Sequence, residues 1–357
     1  MKRKKLISIL TTACMVFALA GCGSTDTKDS GNTEAVITEE AVTEAPTEAS
    51  EDTSTAFPIT ISHAYGETTV KEKPERVVSL AWSNEDAVLA LGIVPVGTSA
   101  ANFGAVGESG LLPWTEEAYA FLGETNPVVY DDTDGFDYEA IADSNPDIIV
   151  ASYSGMTKEE YDTLSQIAPT IPYKETAWKT TWRNQTMEIA TALGLETEGK
   201  ELVAETEKTL ESVKEAHSEV VGKSAALFWI DPTDLGTFYV YTTTDPRGAY
   251  LEDLGFEFPE SIAQIDDGTS FSLAISSENI DLLNHVDIMI AYGDEETLKA
   301  MQEDPLFSQI PAVANGNVVL LDAASKLAAA CNPSVLSIPE MAEEYMSLIH
   351  TTYTEAE

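Results

Sequence analysis

From residue 57 onward, short continuous apolar runs alternate with stretches in which apolar residues recur every third or fourth position. Residues 75–82 (ERVVSLAW), 94–97 and 146–152 (PDIIVAS) read as strands, and 84–91, 138–143 and 157–167 as helices. The first of these helices should stop at Gly92. The third opens on Thr157-Lys158-Glu159-Glu160, the spacing of a capping box, in which hydroxyl and carboxylate satisfy each other's backbone amides. Strands that are apolar throughout, rather than at alternate positions, are buried on both faces, so the pattern predicts a parallel sheet covered by helices. The same grammar restarts after residue 222. Residues 224–230 (SAALFWI), 239–242, 286–292 (VDIMIAY) and 318–322 read as strands, with helices at 248–254, 295–302 and 339–349. Trp229, inside the first of these runs, is expected to be buried.

Between the two halves, residues 197–220 contain no proline and only one glycine. Leu202, Val203, Thr206, Leu210, Val213, Ala216 and Val220 trace one apolar stripe at helical spacing. Some 24 residues at ~1.5 Å each give a helix on the order of 36 Å long. The predicted fold is therefore α/β, with two Rossmann-like lobes joined by a single long helix. The expected boundaries are 57–195 for the first lobe, 196–221 for the joining helix, 222–350 for the second lobe and 351–357 for a tail.

The first 56 residues follow other rules. Four basic residues within 1–5 precede an apolar run at 6–20, the pattern of a secretory signal. The run ends in Leu19-Ala20-Gly21-Cys22, which resembles the lipobox of bacterial lipoproteins. That resemblance implies removal of residues 1–21 and acylation of Cys22, with more than one chain needed for a stable anchor. Residues 23–56 hold nine acids against Lys28 and no aromatic residue. They cannot bury enough apolar surface to offset their ordering entropy, so 22–56 reads as an extended acidic tether.

Charge and cysteines narrow the possibilities. The chain has 19 Lys and Arg against 61 Asp and Glu, and losing the four basic residues of 1–21 leaves 15 − 61 = −46. With no basic stripe, nucleic-acid binding is excluded as a reading. Cys14 leaves with the signal and Cys22 is the anchor, so Cys331 has no disulfide partner within the chain. The four histidines, His63, His217, His285 and His350, are scattered, which disfavours a direct Zn or Mn binder. No nucleophile elbow, zinc-protease helix or Gly-rich phosphate loop marks a hydrolase. No enzyme activity and no resident cofactor are expected.

One resemblance draws these features together. Val77-Val78-Ser79-Leu80, Ser83-Asn84-Glu85-Asp86 and the run from Leu89 through Gly92 to Gly97 are similar to the opening of siderophore-binding proteins of ABC importers. Pro113-Trp114, Asn145-Pro146-Asp147-Ile148-Ile149, Thr181-Trp182 with Gln185, Leu251-Glu252-Asp253-Leu254-Gly255 and Leu336-Ser337-Ile338-Pro339 follow in the same order. The resemblance implies a lipid-anchored, monomeric substrate-binding protein on the outer face of the cell membrane. It would hold an iron(III)–siderophore complex between its lobes and pass it to an ABC permease driven by a cytoplasmic ATPase. A haem or cobalamin binder of the same fold is the alternative.

Ligands of such folds sit beyond the carboxyl ends of strands and between domains. That selects Trp82, Tyr153, Asp231, Tyr241, Arg247, Tyr292 and Asn332. The Pro113-Trp114 segment and the stretch holding Trp178, Trp182 and Arg183 add loop-side candidates. Aromatic faces suit a bulky chelate with an apolar, polarisable surface. Beyond residue 21 the only arginines are Arg76, Arg183 and Arg247. Strongly anionic ferric catecholates need several fixed cations, so the count favours a ferric hydroxamate. For docking, the resemblance implies one acidic site per lobe, at Asp86 with Glu85 beside it and at Glu252 or Asp253. Asp86 also stands at capping-box spacing from Ser83.

Overall fold

The computed structural model describes residues 57–356. The expected signal segment 1–21, Cys22 and the tether to residue 56 lie outside the described residues. Among the described residues no helix is long and apolar enough to cross a membrane.

The first lobe begins with a hairpin, β1 (Ile59–His63) and β2 (Gly66–Val70). Then follow β3 (Val77–Ser79), α1 (Asn84–Ala90), β4 (Gly97–Ser99), α2 (Pro113–Phe121), β5 (Val129–Tyr130), α3 (Tyr138–Asp143), β6 (Ile148–Ala151), α4 (Lys158–Leu164), β7 (Thr170–Pro172) and α5 (Trp182–Ala192). The sheet is parallel throughout, in the order β5-β4-β3-β6-β7. Its central strands are buried on both faces, as continuous apolar runs require. Helix α4 starts with the expected capping box between Thr157 and Glu160. Strand β4 begins at Gly97, where the run at 94–97 was expected to end, because pairing with β3 starts at Val78 opposite Gly97.

Helix α6 (Glu196–Ala216) is 21 residues long, on the order of 32 Å. Leu202 packs on the first lobe's core, whereas Leu210 and Val213 are buried in the core of the second. One helix thus shares its apolar stripe between two cores. A Cβ on Gly199 would lie 2.4 Å from that of Ala190, so glycine lets α6 press against α5.

The second lobe comprises β8 (Ala225–Trp229), β9 (Thr237–Tyr241), α7 (Pro246–Asp253), α8 (Glu260–Ala263), β10 (Ser272–Ser276), β11 (Ile288–Tyr292), α9 (Glu295–Glu303), α10 (Pro311–Asn315), β12 (Val318–Leu321), α11 (Lys326–Ala330) and α12 (Ser337–Ala356). Its sheet order is β10-β9-β8-β11-β12, with β8, β11 and β12 parallel and β9 and β10 antiparallel. Two readings need correction. Trp229 is 47% exposed, because the last residue of β8 stands at the rim of the sheet rather than under a helix. Helix α12 runs on to Ala356, since Tyr353 still packs on the core, so 351–356 is not a free tail.

Candidate functional site

A cleft of about 700 Å³ opens between the lobes. The first lobe supplies the carboxyl ends of β3, β4, β5 and β6, where the chain leaves the sheet and side chains face outward. Trp82 reaches the cleft because both its neighbours adopt left-handed backbone, Ala81 at φ 65° and Ser83 at φ 53°. Such conformations cost free energy in non-glycine residues and persist only when surroundings hold them. Here Ser99 Oγ accepts the Ala81 amide at 2.8 Å, and Gln185 Nε2 donates to the Trp82 carbonyl at 3.1 Å. Buried Asn84 ties this turn to the end of β6. Its Nδ2 donates to the carbonyls of Leu80 (2.7 Å) and Tyr153 (3.0 Å), and its Oδ1 accepts the Tyr153 amide at 3.1 Å.

Seven aromatic side chains line the cavity: Trp82, Phe103, Phe136, Tyr153, Trp178, Phe271 and Tyr292. Tyr153 and Trp178 meet edge to face at 5.2 Å, and Phe103 and Tyr292 meet across the lobes at 5.3 Å. A Cβ on Gly155 would fall 2.3 Å from the Trp178 indole nitrogen, so that ring depends on a glycine beneath it. Asn332 Nδ2 donates to the Tyr153 hydroxyl at 3.1 Å, a second link between the lobes.

Among the described residues Arg247 is the one cation lining the cleft. Its Nε and Nη2 each donate at 2.7 Å to the two oxygens of Asp245, which is fully buried. Its guanidinium lies 3.9 Å above the Tyr241 ring. Burial opposes the charge, but the Asp245 carboxylate outweighs it and holds the guanidinium protonated. The pair is therefore electrically closed. Tyr241 supports Arg247 from beneath without itself lining the cavity.

Several expected site residues lie elsewhere. Trp114 is 5% exposed in the first turn of α2, and its Nε1 donates to Asp86 Oδ2 at 2.9 Å. Asp86, assigned to docking, has no exposure at all. It also accepts from Thr115 Oγ1 at 2.7 Å and from Ser334 Oγ at 2.5 Å, tying α1 and α2 to the loop before α12. Burial pushes its carboxyl up to about 6, against the pull of these three donors. Glu85 is 4% exposed and lines the cleft instead of the outer surface. Burial and then the neighbouring Asp86 hold it well above the usual carboxylate range.

Trp182 and Arg183 are outside the cleft as well. Trp182 Nε1 and Arg183 Nη1 both bind Asp253, and Arg183 Nε donates to Glu207 of α6 at 2.8 Å. Two residues assigned to the ligand and one assigned to docking are thus each other's partners. Glu252 remains exposed, and Asp231 is exposed and does not line the cleft.

Sequence reasoning missed Phe103, Phe136 and Phe271 because each stands in irregular chain between elements, where no periodicity marks it. Asp132 and Glu160 also line the cavity unforeseen. Among the described residues no three His, Cys, Asp or Glu side chains converge as metal ligands.

Two lobes, a connecting helix and a cleft rich in aromatic side chains define a substrate-binding protein. Residues 77–324 match the family described as Periplasmic binding protein, and the chain belongs to that family. It is similar to the solved structure of PiaA from Streptococcus pneumoniae TIGR4 in complex with ferrichrome. That likeness is 44% identical, covers 84% of this chain and 100% of that one, and has a TM-score of 0.80. It is also similar to the probable siderophore-binding lipoprotein YfiY of Bacillus subtilis, 24% identical over 306 residues, covering 81% of this chain and 87% of that protein. The Fe(3+) dicitrate-binding periplasmic protein FecB of Escherichia coli is 28% identical over 276 residues, covering 75% and 84%.

Proposed function

We propose that the protein is an extracytoplasmic lipoprotein, anchored through Cys22, that captures an intact ferric hydroxamate siderophore and delivers it to an ABC permease. The observation that carries this reading is the cancellation of Arg247 by Asp245 inside an aromatic cleft of about 700 Å³. Iron(III) bound by three hydroxamates is a neutral complex with an apolar periphery, whereas a ferric tris-catecholate carries three negative charges. A cleft with no uncompensated cation cannot repay the desolvation of such an anion. Aromatic walls repay the transfer of a neutral, polarisable chelate from water. The ferrichrome bound to PiaA belongs to this neutral class. The iron stays in its chelator and is cargo, so the protein needs no metal ligands and performs no chemistry.

For docking, Glu252 is the remaining exposed acid of those the resemblance suggested, and it stands as the second-lobe contact to the permease. The protein acts as a monomer in this reading.

The test is a titration of the fragment from Phe57 with ferrichrome, ferrioxamine B and ferric enterobactin, following Trp fluorescence with inner-filter controls. Saturable one-to-one binding of a ferric hydroxamate, far tighter than that of enterobactin, is expected. Tight binding of enterobactin alone, or of haem or cobalamin alone, would overturn the proposed substrate.

A further inference from the structure

The acids on the first lobe's side of the cleft have no cation of that lobe among the lining residues. Glu85, Asp132 and Glu160 line it, and neither Lys nor Arg from that lobe does. The one cation across the cleft already has its carboxylate in Asp245. The cavity therefore holds a surplus of acids that its own cation does not answer.

The hydrogen bonds of these acids are incomplete in a directed way. Ser99 Oγ accepts the Ala81 amide and donates its own proton to Asp132 Oδ2. That leaves Asp132 Oδ1 withdrawn from solvent with no partner. Glu85, nine-tenths and more buried at 4% exposure, likewise has Oε2 without a partner. Glu160 spends Oε2 on the Thr157 amide and hydroxyl at the start of α4, and no hydrogen bond occupies its Oε1. Buried acceptors without donors are rare and call for an explanation. Two on one side of one cavity, Glu85 Oε2 and Asp132 Oδ1, with the half-buried Glu160 lining the same wall, ask for a guest that brings donors and positive charge. A neutral tris-hydroxamate core supplies little of either, because its outward atoms are mostly acceptors and hydrocarbon. A protonated primary amine brings three N–H donors and the missing charge. The aromatic side chains Trp82 and Phe136 of the same lobe suit an alkylammonium as well.

We infer that Asp132, on the cavity wall that Glu160 and Glu85 also line, forms an ammonium-binding subsite, so that the cleft prefers hydroxamate chelates carrying a cationic arm over neutral ones. This rests on the ferric-hydroxamate reading and sharpens it. Ser99 is the positioning residue, since its single proton commits Asp132 Oδ2 and leaves Oδ1 for the guest.

Ferrioxamine B ends in a primary amine, and N-acetylation neutralises that arm without touching the iron core. The experiment measures the ratio of the two affinities by calorimetry at pH 7.4, in the wild type and in Asp132→Asn and Glu160→Gln variants whose folding is checked by thermal melting. The wild type should bind the ammonium form about tenfold tighter, a difference of about 1.4 kcal/mol. Asp132→Asn should bring the ratio below about twofold, Glu160→Gln should reduce it, and added salt should shrink it in the wild type. If Asp132→Asn does not fold, the Glu160→Gln ratio and the salt dependence decide. Equal affinities in the wild type, or a ratio untouched by both substitutions and by salt, would overturn the subsite. If ferrichrome binds while the two ferrioxamines bind equally, only the subsite fails. If no ferric hydroxamate binds, the underlying reading fails with it.

Discussion

The indole Nε1 of Trp182 donates a hydrogen bond of 2.9 Å to Oδ2 of Asp253, joining the start of α5 in one lobe to the end of α7 in the other. Arg183 Nη1 reaches both oxygens of the same carboxylate at 2.8 and 2.7 Å, and its guanidinium lies 4.4 Å from the Trp182 ring. The cluster works as a latch between the lobes, outside the cleft.

Replacing Asp253 by alanine leaves the buried Trp182 N–H without an acceptor and removes a partly buried ion pair. The expected cost is about 2–3 kcal/mol of stability. Glu252→Ala, one position away and exposed, should stay within about 0.5 kcal/mol. Urea denaturation of the two variants compares them directly. An Asp253→Ala midpoint no lower than that of Glu252→Ala would mean that the latch carries no load.

Four of the five tryptophans should separate into two classes. Trp82 and Trp178 line the cleft, whereas Trp114 and Trp182 are buried in contacts elsewhere. Trp82→Ala and Trp178→Ala should each weaken ferric hydroxamate binding by about tenfold or more, since an aromatic face in a binding site is worth about 1–3 kcal/mol. Trp114→Phe and Trp182→Phe should lower the melting temperature and leave the dissociation constant within about threefold. Calorimetric titration beside a thermal melt reads both quantities, and the reverse assignment would place the ligand outside this cleft.

Much of this architecture was legible because it is written locally. The capping box at Thr157, the helix over Tyr138–Asp143 and the long stripe of α6 depend on residues a few positions apart. The strand ends also put Trp82, Tyr153, Arg247 and Asn332 around one cavity. Asp86 was not legible, because it is buried by partners 28, 29 and 248 positions away. An acid at a helix start reads the same whether it faces water or a neighbouring loop. Trp229 failed for the opposite reason. It ends an unbroken apolar run, and nothing local says that the covering layer stops one residue earlier.

The Arg247–Asp245 pair predicts a change in selectivity. Asp245 also caps α7, its Oδ1 accepting the Arg247 amide at 2.8 Å, and asparagine retains that oxygen while losing the charge. Asp245→Asn should therefore uncover the guanidinium. The affinity for ferric enterobactin relative to ferrichrome should rise at least tenfold, about 1.4 kcal/mol. That is modest beside the ~4 kcal/mol of two unit charges 4 Å apart at an effective dielectric of ~20. An unchanged ratio would show that charge cancellation does not set the ligand class.

Cys331 is 1% exposed, and burial pushes its thiol up to about 12. A thiolate is the reactive form, so the native fragment from Phe57 should resist Ellman's reagent and release one equivalent on denaturation. The rate at low urea then reports opening of the second lobe's core, to which this residue belongs. Rapid reaction of the native protein would contradict the packing around α11.

Asp86 makes the sharpest prediction about pH. Its carboxyl is held at about 6 when folded, against an ordinary value of 3.8, chiefly by burial. The native state therefore binds this proton more tightly than the unfolded chain. The sign follows from linkage: between about 4 and 6 the folded state holds more protons, so this group's contribution to stability falls as pH rises. With 61 acids in the chain the total profile is crowded, and the informative quantity is the difference between wild type and Asp86→Asn. Asparagine does not titrate, but it presents an N–H₂ to one of the donors from Trp114, Thr115 and Ser334, so a constant offset against the variant is expected. On top of that offset, the variant should gain on the wild type as pH rises from 4 to 7, by on the order of 2–3 kcal/mol. Relief of the repulsion on Glu85 acts in the same direction. Chemical denaturation at several pH values measures the difference. A gap that widens against the variant with rising pH would mean that the three donors, rather than burial, govern this carboxylate.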